Sequence, residues 1–278
     1  MKRLPIVVFL FGLLGLLAWS GNGLAQGVAM VLDRAGGVEV VDTGKAKRLN
    51  LLDYLAADAE LRLADGASAT LVYLGSSREW QFTGPGRYRL RAEMPAVLQG
   101  PPPKARGVPP PSARAMVKLE PAQRERLALG AMVMRGDGPM RIVSPNGVDV
   151  LDTRPPLIWL AGEGQAIRVS VLDETQRVVA QGVATTMQWL PPNELAPGDY
   201  TWRIEAAGGG APRLGRFRII GGDDERRALL GETPVGFAQR VAYAILLEDH
   251  ELPHDALLYW RALAAERPEE ESLRQWAR

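Results

Sequence analysis

The chain has 278 residues, 46% hydrophobic and 23% charged, with a formal net charge of +1. That balance supplies apolar side chains for more than one core and offers no strong field to nucleic acid or to an anionic membrane surface. The chain contains no cysteine, which excludes disulfides, thiol nucleophiles, thiolate metal sites and a lipid-modified N-terminal cysteine.

The N-terminus has a three-part layout. Met1-Lys2-Arg3 is basic, Leu4 to Trp19 is nearly all apolar, and Ser20 to Gln26 is small and polar. This is the pattern of a secretory signal peptide, and the apolar run is shorter than the ~20 residues of a spanning helix. Residues 1–26 are therefore expected to direct export, with cleavage after Ala25 or Gln26 and a periplasmic or secreted mature chain. The competing reading keeps the segment as a membrane anchor, with Lys2 and Arg3 on the cytoplasmic side. An exported chain without disulfides must rely on buried apolar surface, so each domain is expected to exceed mini-protein size.

Residues 27–91 read as a small all-β domain. Val38-Glu39-Val40 and Leu61-Arg62-Leu63 alternate, and Ala69, Leu71 and Tyr73 share one face of a period-two segment. Asp65-Gly66 marks a turn, and Gly84-Pro85-Gly86 a tight one between Trp80-Gln81-Phe82 and Tyr88-Arg89-Leu90. Leu51 to Ala57 fits either one helical turn or a loop. On Gly37-Val38-Glu39-Val40, Asp65 to Leu71 and the Phe82-to-Leu90 segment, this domain resembles the β-domain of FecR-type proteins, named after the iron-dicitrate sensor regulator. Tyr54-Leu55-Ala56-Ala57 stands where the family usually has Gly-Asp. Only Met1 to Arg3 precede the apolar stretch, so the resemblance implies an envelope β-module and not the sigma-factor-binding segment of those regulators.

Residues 92–120 read as a proline-rich linker. Pro101-Pro102-Pro103 and Pro109-Pro110-Pro111 favour extended polyproline II, with Lys104 and Arg106 between them. Pro121 to Leu129 carries a helix-start signal, with Glu120 ahead of it. Residues 121–221 read as a β-sandwich of about seven short strands. Met132-Val133-Met134, Met140 to Val143, Pro156 to Leu160, Ile167 to Val171, Val178 to Ala180 and Met187 to Leu190 are strand-like. Tyr200, Trp202 and Ile204 share a face, and Arg216 to Ile220 closes the set. Leu195-Ala196-Pro197-Gly198-Asp199-Tyr200-Thr201-Trp202 resembles the start of the F strand of fibronectin type III and immunoglobulin-like domains. The resemblance implies Trp159 as a core tryptophan and Tyr200 as a tyrosine corner, its hydroxyl returning to upstream backbone.

Residues 222–278 read as helical, with Val235 to Leu247 and Ala256 to Glu266 as a pair. They resemble a single tetratricopeptide-type hairpin: Ala244 and Ala256 take the small positions, Trp260 the aromatic one and Pro268 the stop. Leu258 and Tyr259 join Trp260 as candidates for packing. One such hairpin cannot bury its apolar face alone. It must dock on another helix, on the sandwich or on a partner, and Leu273 and Trp276 could cap it.

His250-Glu251-Leu252-Pro253-His254 satisfies the zinc-protease pattern H-E-x-x-H. The chemistry needs both histidines on one helix face, and Pro253 removes a backbone N–H and pushes Leu252 out of the α region. The segment also falls in the turn of the helical pair. With these two histidines alone, no Ser-His-Asp triad forms elsewhere; no G-x-S-x-G elbow or phosphate loop is present. Arg135-Gly136-Asp137 spells an adhesion tripeptide, Gly208-Gly209-Gly210 a hairpin loop. Trp80, Trp159, Trp189 and Trp202 lie in strand-like runs and are expected in cores; exposure of Trp80 or Trp189 would make a carbohydrate or peptide platform.

The expected fold is mainly β: a small FecR-like β-domain plus an immunoglobulin-like β-sandwich, followed by a short α-helical hairpin. The expected function is a non-enzymatic scaffold or sensor-accessory protein of the bacterial cell envelope, with no catalytic residues, metal or cofactor. Its expected partner is another envelope protein. The alternatives are a cell-wall module binding peptidoglycan or another polysaccharide, and a zinc enzyme using His250 and His254.

Overall fold

The computed structural model describes residues 27–108, 112–119, 140–231 and 233–278. The signal segment, the 121–129 helix, the Met132–Met134 strand and the Arg135-Gly136-Asp137 tripeptide lie outside them. The described chain is mainly β, in several antiparallel sheets, with helices gathered towards the C-terminal end.

The N-terminal unit is built from β1 (Ala29–Ala35), β2 (Val38–Asp42), β3 (Lys45–Arg48), β4 (Tyr54–Leu55), β5 (Glu60–Leu63), β6 (Ser68–Tyr73), β7 (Arg78–Thr83), β8 (Gly86–Leu90), β9 (Pro95–Gln99) and β10 (Lys104–Gly107). These form two five-stranded sheets, in the orders β10-β7-β6-β1-β4 and β3-β2-β5-β8-β9. The alternation read for 38–40, 61–63 and 69–73 places Val38, Val40, Leu61, Leu63, Ala69, Leu71 and Tyr73 in the core. Phe82 and Tyr88 meet edge to face across the two sheets, 4.9 Å apart at 71°. Leu51 to Ala57 is a loop holding the two-residue β4, not a helical turn.

The span read as a linker is partly folded. Pro95–Gln99 adds an edge strand to one sheet and Lys104–Gly107 to the other, while residues 112–119 form helix α1. The physical reason is local. Pro101-Pro102-Pro103 carries the chain between sheets, and the proline-free Lys104-Ala105-Arg106-Gly107 has every N–H needed to pair with the open edge of β7. Tyr88 anchors the crossing by donating its hydroxyl to the carbonyl of Pro101, 2.8 Å away.

The second unit is an immunoglobulin-like sandwich. Its strands are β11 (Met140–Ser144), β12 (Val148–Val150), β13 (Leu157–Ala161), β14 (Ile167–Leu172), β15 (Val178–Ala184), β16 (Gln188–Trp189), β17 (Gly198–Ala206) and β18 (Arg213–Ile219). One sheet runs β11-β13-β16, the other β12-β18-β17-β14-β15. The first strand switches sheets: β11 pairs antiparallel with β13, then β12 pairs parallel with β18. Trp159 and Trp202 are fully buried, 6.4 Å apart, and Trp202 donates its indole N–H to the carbonyl of Pro145 in the switch, at 2.8 Å. Gly215 lies opposite Trp202, where an added Cβ would sit 2.4 Å from the indole nitrogen. The tyrosine corner is formed: Tyr200 donates its hydroxyl to the carbonyl of Ala196 at 2.8 Å.

The C-terminal helices are α2 (Glu225–Leu230), α3 (Phe237–Asp249), α4 (Pro253–Glu266) and α5 (Glu271–Trp276). Asp224 caps α2 by accepting from the Arg226 N–H at 3.0 Å. Gln239 reaches back to the Gly236 N–H at the start of α3, and Pro253 occupies the first turn of α4. Ala244, Ala256 and Trp260 are fully buried, as the repeat spacing implies, and Trp276 of α5 packs 5.4 Å from Trp260.

The hairpin docks inside the chain. Its buried face shares one continuous core with the N-terminal unit and with Ala115, Met116 and Leu119 of α1. It covers the outer face of the β10-β7-β6-β1-β4 sheet, where Met30 and Val72 are paired neighbours and both fully buried. Replacing Tyr200 by Phe removes the corner hydrogen bond and leaves the Ala196 carbonyl without it; we expect a loss of about 1 kcal/mol in urea unfolding, with the fold unchanged.

Candidate functional site

The H-E-x-x-H segment does not lie on one helix. His250 closes α3, Glu251 sits in the left-handed region at φ 58°, and Leu252 precedes the first turn of α4. Pro253 starts α4 as a helix-opening residue, so the i, i+4 face that a zinc pair needs is broken. His254 is fully buried, with Nδ1 2.8 Å from the hydroxyl oxygen of Ser144. Among the described residues no group of three His, Asp or Glu side chains is gathered to hold a metal ion.

What this turn does is join α4 to the sandwich. The Asp255 carboxylate accepts from the Leu151 N–H at 3.1 and 3.3 Å. Arg227 donates to the carbonyls of Leu151, Ile220 and Gly221 at 2.7 to 3.0 Å. On the opposite side the hairpin holds the N-terminal unit through ions. Arg34 of β1 pairs with Glu270 at 2.5 Å, both side chains buried. Arg267 donates to Asp33 at 2.6 Å and to the Arg34 carbonyl at 2.9 Å. Its guanidinium also stacks 3.7 Å from the centre of the Phe237 ring.

Two concave regions stand out. One, of about 450 Å³, lies at an end of the larger sandwich sheet and contains Asp149, Asp173, Asp199, Arg216 and Arg218. Much of its charge is spent internally. Asp199 is bidentate to Arg218 at 2.8 and 3.0 Å, and Asp173 accepts from Thr175 and Arg177, which holds its carboxyl below the usual range. The other, of about 410 Å³, lies between the N-terminal unit and the helices. Glu79 of β7 reaches it and is 3% exposed; burial pushes its carboxyl up, against Arg106 3.6 Å away. Sequence reasoning missed this site, because residues near 79, 106, 230 and 242 meet only in the tertiary fold.

The tryptophans supply no open platform. Trp80, Trp159 and Trp202 are buried; Trp189 is partly covered, packed on the sandwich core and against Gly182. The flat exposed aromatic surface expected of a polysaccharide-binding module is therefore missing from the described strands.

No family model matches the chain, and no curated protein matches it. Among solved structures it is similar to PorZ, an essential bacterial surface component of the type-IX secretion system of Porphyromonas gingivalis. The two are 13% identical, with a TM-score of 0.23, over 65% of this chain and 34% of the PorZ chain. The chain thus spans about a third of that structure's length.

Burial moves the two side chains at the start of α4 in opposite directions. It pushes the Asp255 carboxyl up from 3.8 to about 7, the Leu151 N–H opposing it, and the His254 imidazole down from 6.5 to about 4. A raised carboxyl makes the native state bind more protons, so its contribution is present at low pH and is lost as pH rises towards 7. A depressed imidazole does the reverse: its contribution is present above 6.5 and is lost as pH falls through about 4. Asp255→Asn keeps the shape and removes the first effect. The variant should gain about 4 kcal/mol on the natural protein between pH 4 and 7, read from urea unfolding at several pH values. A difference that stays constant across that range would refute the buried neutral carboxyl.

Proposed function

We propose that the protein is an exported, non-enzymatic scaffold of the bacterial cell envelope that binds another protein through the free edge of its sandwich. Export is supported by the basic, apolar and small-residue succession of residues 1–26. An envelope role for the N-terminal unit is supported by its resemblance to FecR-type β-domains. The absence of any catalytic assembly from the sequence motifs supports the non-enzymatic reading.

One observation carries the choice of surface. Natural sheets guard their edges with charge, proline or brevity. β3 is Lys45-Ala46-Lys47-Arg48, β10 carries Lys104 and Arg106, β11 carries Arg141, and β9 opens on Pro95. β4 and β16 have two residues each, and β12 has three with Asp149 at its centre. β15 lacks charge, proline and brevity, and its one irregularity is a register shift at Val178 to Ala180. It is a seven-residue edge strand, Val178-Val179-Ala180-Gln181-Gly182-Val183-Ala184, without charge or proline. Val178, Val179 and Val183 are 51%, 43% and 61% exposed. Such a strand suits addition of an extended segment from a partner, with main-chain hydrogen bonds supplying affinity and the valines specificity.

The hairpin, by contrast, has its apolar face covered within the chain by the N-terminal unit and α1. It serves instead as the clamp that holds the sandwich at a set position relative to the N-terminal unit.

A cross-linked pull-down from envelope extract tests the proposal, with the full chain and its Val178→Lys, Val183→Lys double variant as baits. Both changes are at exposed positions, so the fold should survive. A protein captured by the natural chain should be reduced about tenfold or more by the variant, since like charges and lost apolar contacts bear on a central edge. Equal capture by both baits would overturn the edge as the docking surface, and capture of no protein would overturn the scaffold reading.

A further inference from the structure

The net charge of +1 conceals a local asymmetry. The strands of the β3-β2-β5-β8-β9 sheet carry six cations, Lys45, Lys47, Arg48, Arg62, Arg87 and Arg89, against three carboxylates, Glu39, Asp42 and Glu60. Alternation turns Val38, Val40, Leu61, Leu63 and Tyr88 into the core and sets the arginines on the outer face. There the register places Arg48, Glu39, Arg62 and Arg87 side by side in one row across β3, β2, β5 and β8, with Glu60 and Arg89 paired in the next row. All four residues of the first row are exposed.

Like charges set opposite each other weaken a sheet, and Arg62 stands directly opposite Arg87. Glu60 offsets this only in part. Its Oε1 accepts from Nε of Arg62 at 2.8 Å and from Nε of Arg87 at 2.9 Å, and Arg89 lies 3.8 Å from its Oε2. One carboxylate thus holds three guanidiniums whose side chains remain 45%, 48% and 40% exposed, and their other N–H donors are left for a ligand. The neighbouring edge is apolar. Val97 and Leu98 of β9 are each 45% exposed, and Met94, just ahead of the strand and beside Glu93, is 56% exposed. β9 pairs with β8, so this edge adjoins Arg87 and Arg89. The larger sandwich sheet also carries arginines, but Asp149, Asp173 and Asp199 gather at its concave end.

We propose that this face of the N-terminal unit binds the surface of a bilayer containing anionic phospholipid, with Arg48, Arg62, Arg87 and Arg89 on headgroup phosphates and Met94, Val97 and Leu98 in the boundary between headgroups and acyl chains. A sheet face presents its guanidiniums together to phosphates that lie in one plane, and the planar fork of arginine suits a phosphate. The apolar edge selects a bilayer over a soluble polyanion, because a bilayer places hydrocarbon just beneath its charge. The inference goes beyond the β15 edge and does not depend on it.

Co-sedimentation with vesicles tests it, on the chain beginning at Gly27, the form that cleavage after Gln26 would leave. That chain keeps every described residue and lacks the apolar stretch at 4–19, which would bind lipid itself. Phosphatidylcholine vesicles with about one third phosphatidylglycerol should bind it at least about tenfold more tightly than phosphatidylcholine alone, since each cation near an anionic surface strengthens binding roughly fivefold. Raising the salt to about 0.5 M should release it. Arg48→Gln with Arg87→Gln should weaken binding about tenfold or more, and Val97→Ser with Leu98→Ser about tenfold. These positions are exposed, so both variants should keep the thermal unfolding of the natural chain. Arg203→Gln with Arg216→Gln, on the sandwich sheet, should bind as the natural chain does. Equal binding to both kinds of vesicle, or undiminished binding by the arginine variant of the N-terminal unit, would overturn the proposal. Undiminished binding by the Val97→Ser, Leu98→Ser variant, or displacement by soluble glycerol phosphate, would overturn the bilayer as ligand and assign the face to a soluble anion.

Discussion

The structure depends on one burial event: the outer face of the β10-β7-β6-β1-β4 sheet lies under the C-terminal hairpin. Each surface buries its apolar side chains against the other. Apart, Met30 and Val72 on the sheet would form an open apolar patch, and Val241, Ile245 and Trp260 on the hairpin would do the same. Joined, they make a single core that runs from Ala29 to Trp276. The polar contacts at this seam depend on the burial too. Arg34 and Glu270 are both out of water, so losing either partner strands a charge, at a cost of about 3–5 kcal/mol. The pair thus fixes register between elements 236 residues apart more than it adds stability.

The sandwich is attached differently. Its own core is separate; Ile220 and Leu151 at its end join the core of the hairpin, and the polar links to the helices are Ser144 with His254, the Leu151 N–H with Asp255, and three carbonyls on Arg227 of α2. Such contacts fix direction at small net energy, because each exchanges a water hydrogen bond for a protein one. The hairpin therefore works as a bracket. One side is bonded by apolar burial to the N-terminal unit, and the other is pinned to the sandwich. The edge that this arrangement leaves open is β15, and the cavity it creates is the one above Glu79.

Several features were legible in the sequence because they depend on local spacing. The Ala244, Ala256 and Trp260 spacing describes two helices that touch, and all three residues are fully buried. The Leu195-to-Trp202 segment forms its tyrosine corner within five residues. Pro253 breaks the histidine motif through its own ring. The features that were missed are tertiary. Residues 104–107 have no strand pattern of their own and pair because β7 offers an edge. Burial of the sheet on both faces had a signal that alternation hides: Ala29 to Leu32 and Ala69 to Tyr73 are buried without a break. Unbroken apolar runs mark strands covered on two sides, which period-two reading assigns to one. The Glu79 cavity had no sequence signal, since its walls come from β7, β10, α1, α2 and α3.

Hydrogen exchange measured by mass spectrometry, on the full chain and on one ending at Gly231, tests the bracket most directly. Central strands covered on both faces should exchange only by global opening. In the full chain, amides of β1 and β6 should be as protected as those of α3 and α4. In the shortened chain, β1 and β6 should lose that protection while β14 and β17 of the sandwich keep theirs. Undiminished protection of β1 and β6 without the hairpin would contradict the account, because the N-terminal unit would then be a domain in its own right.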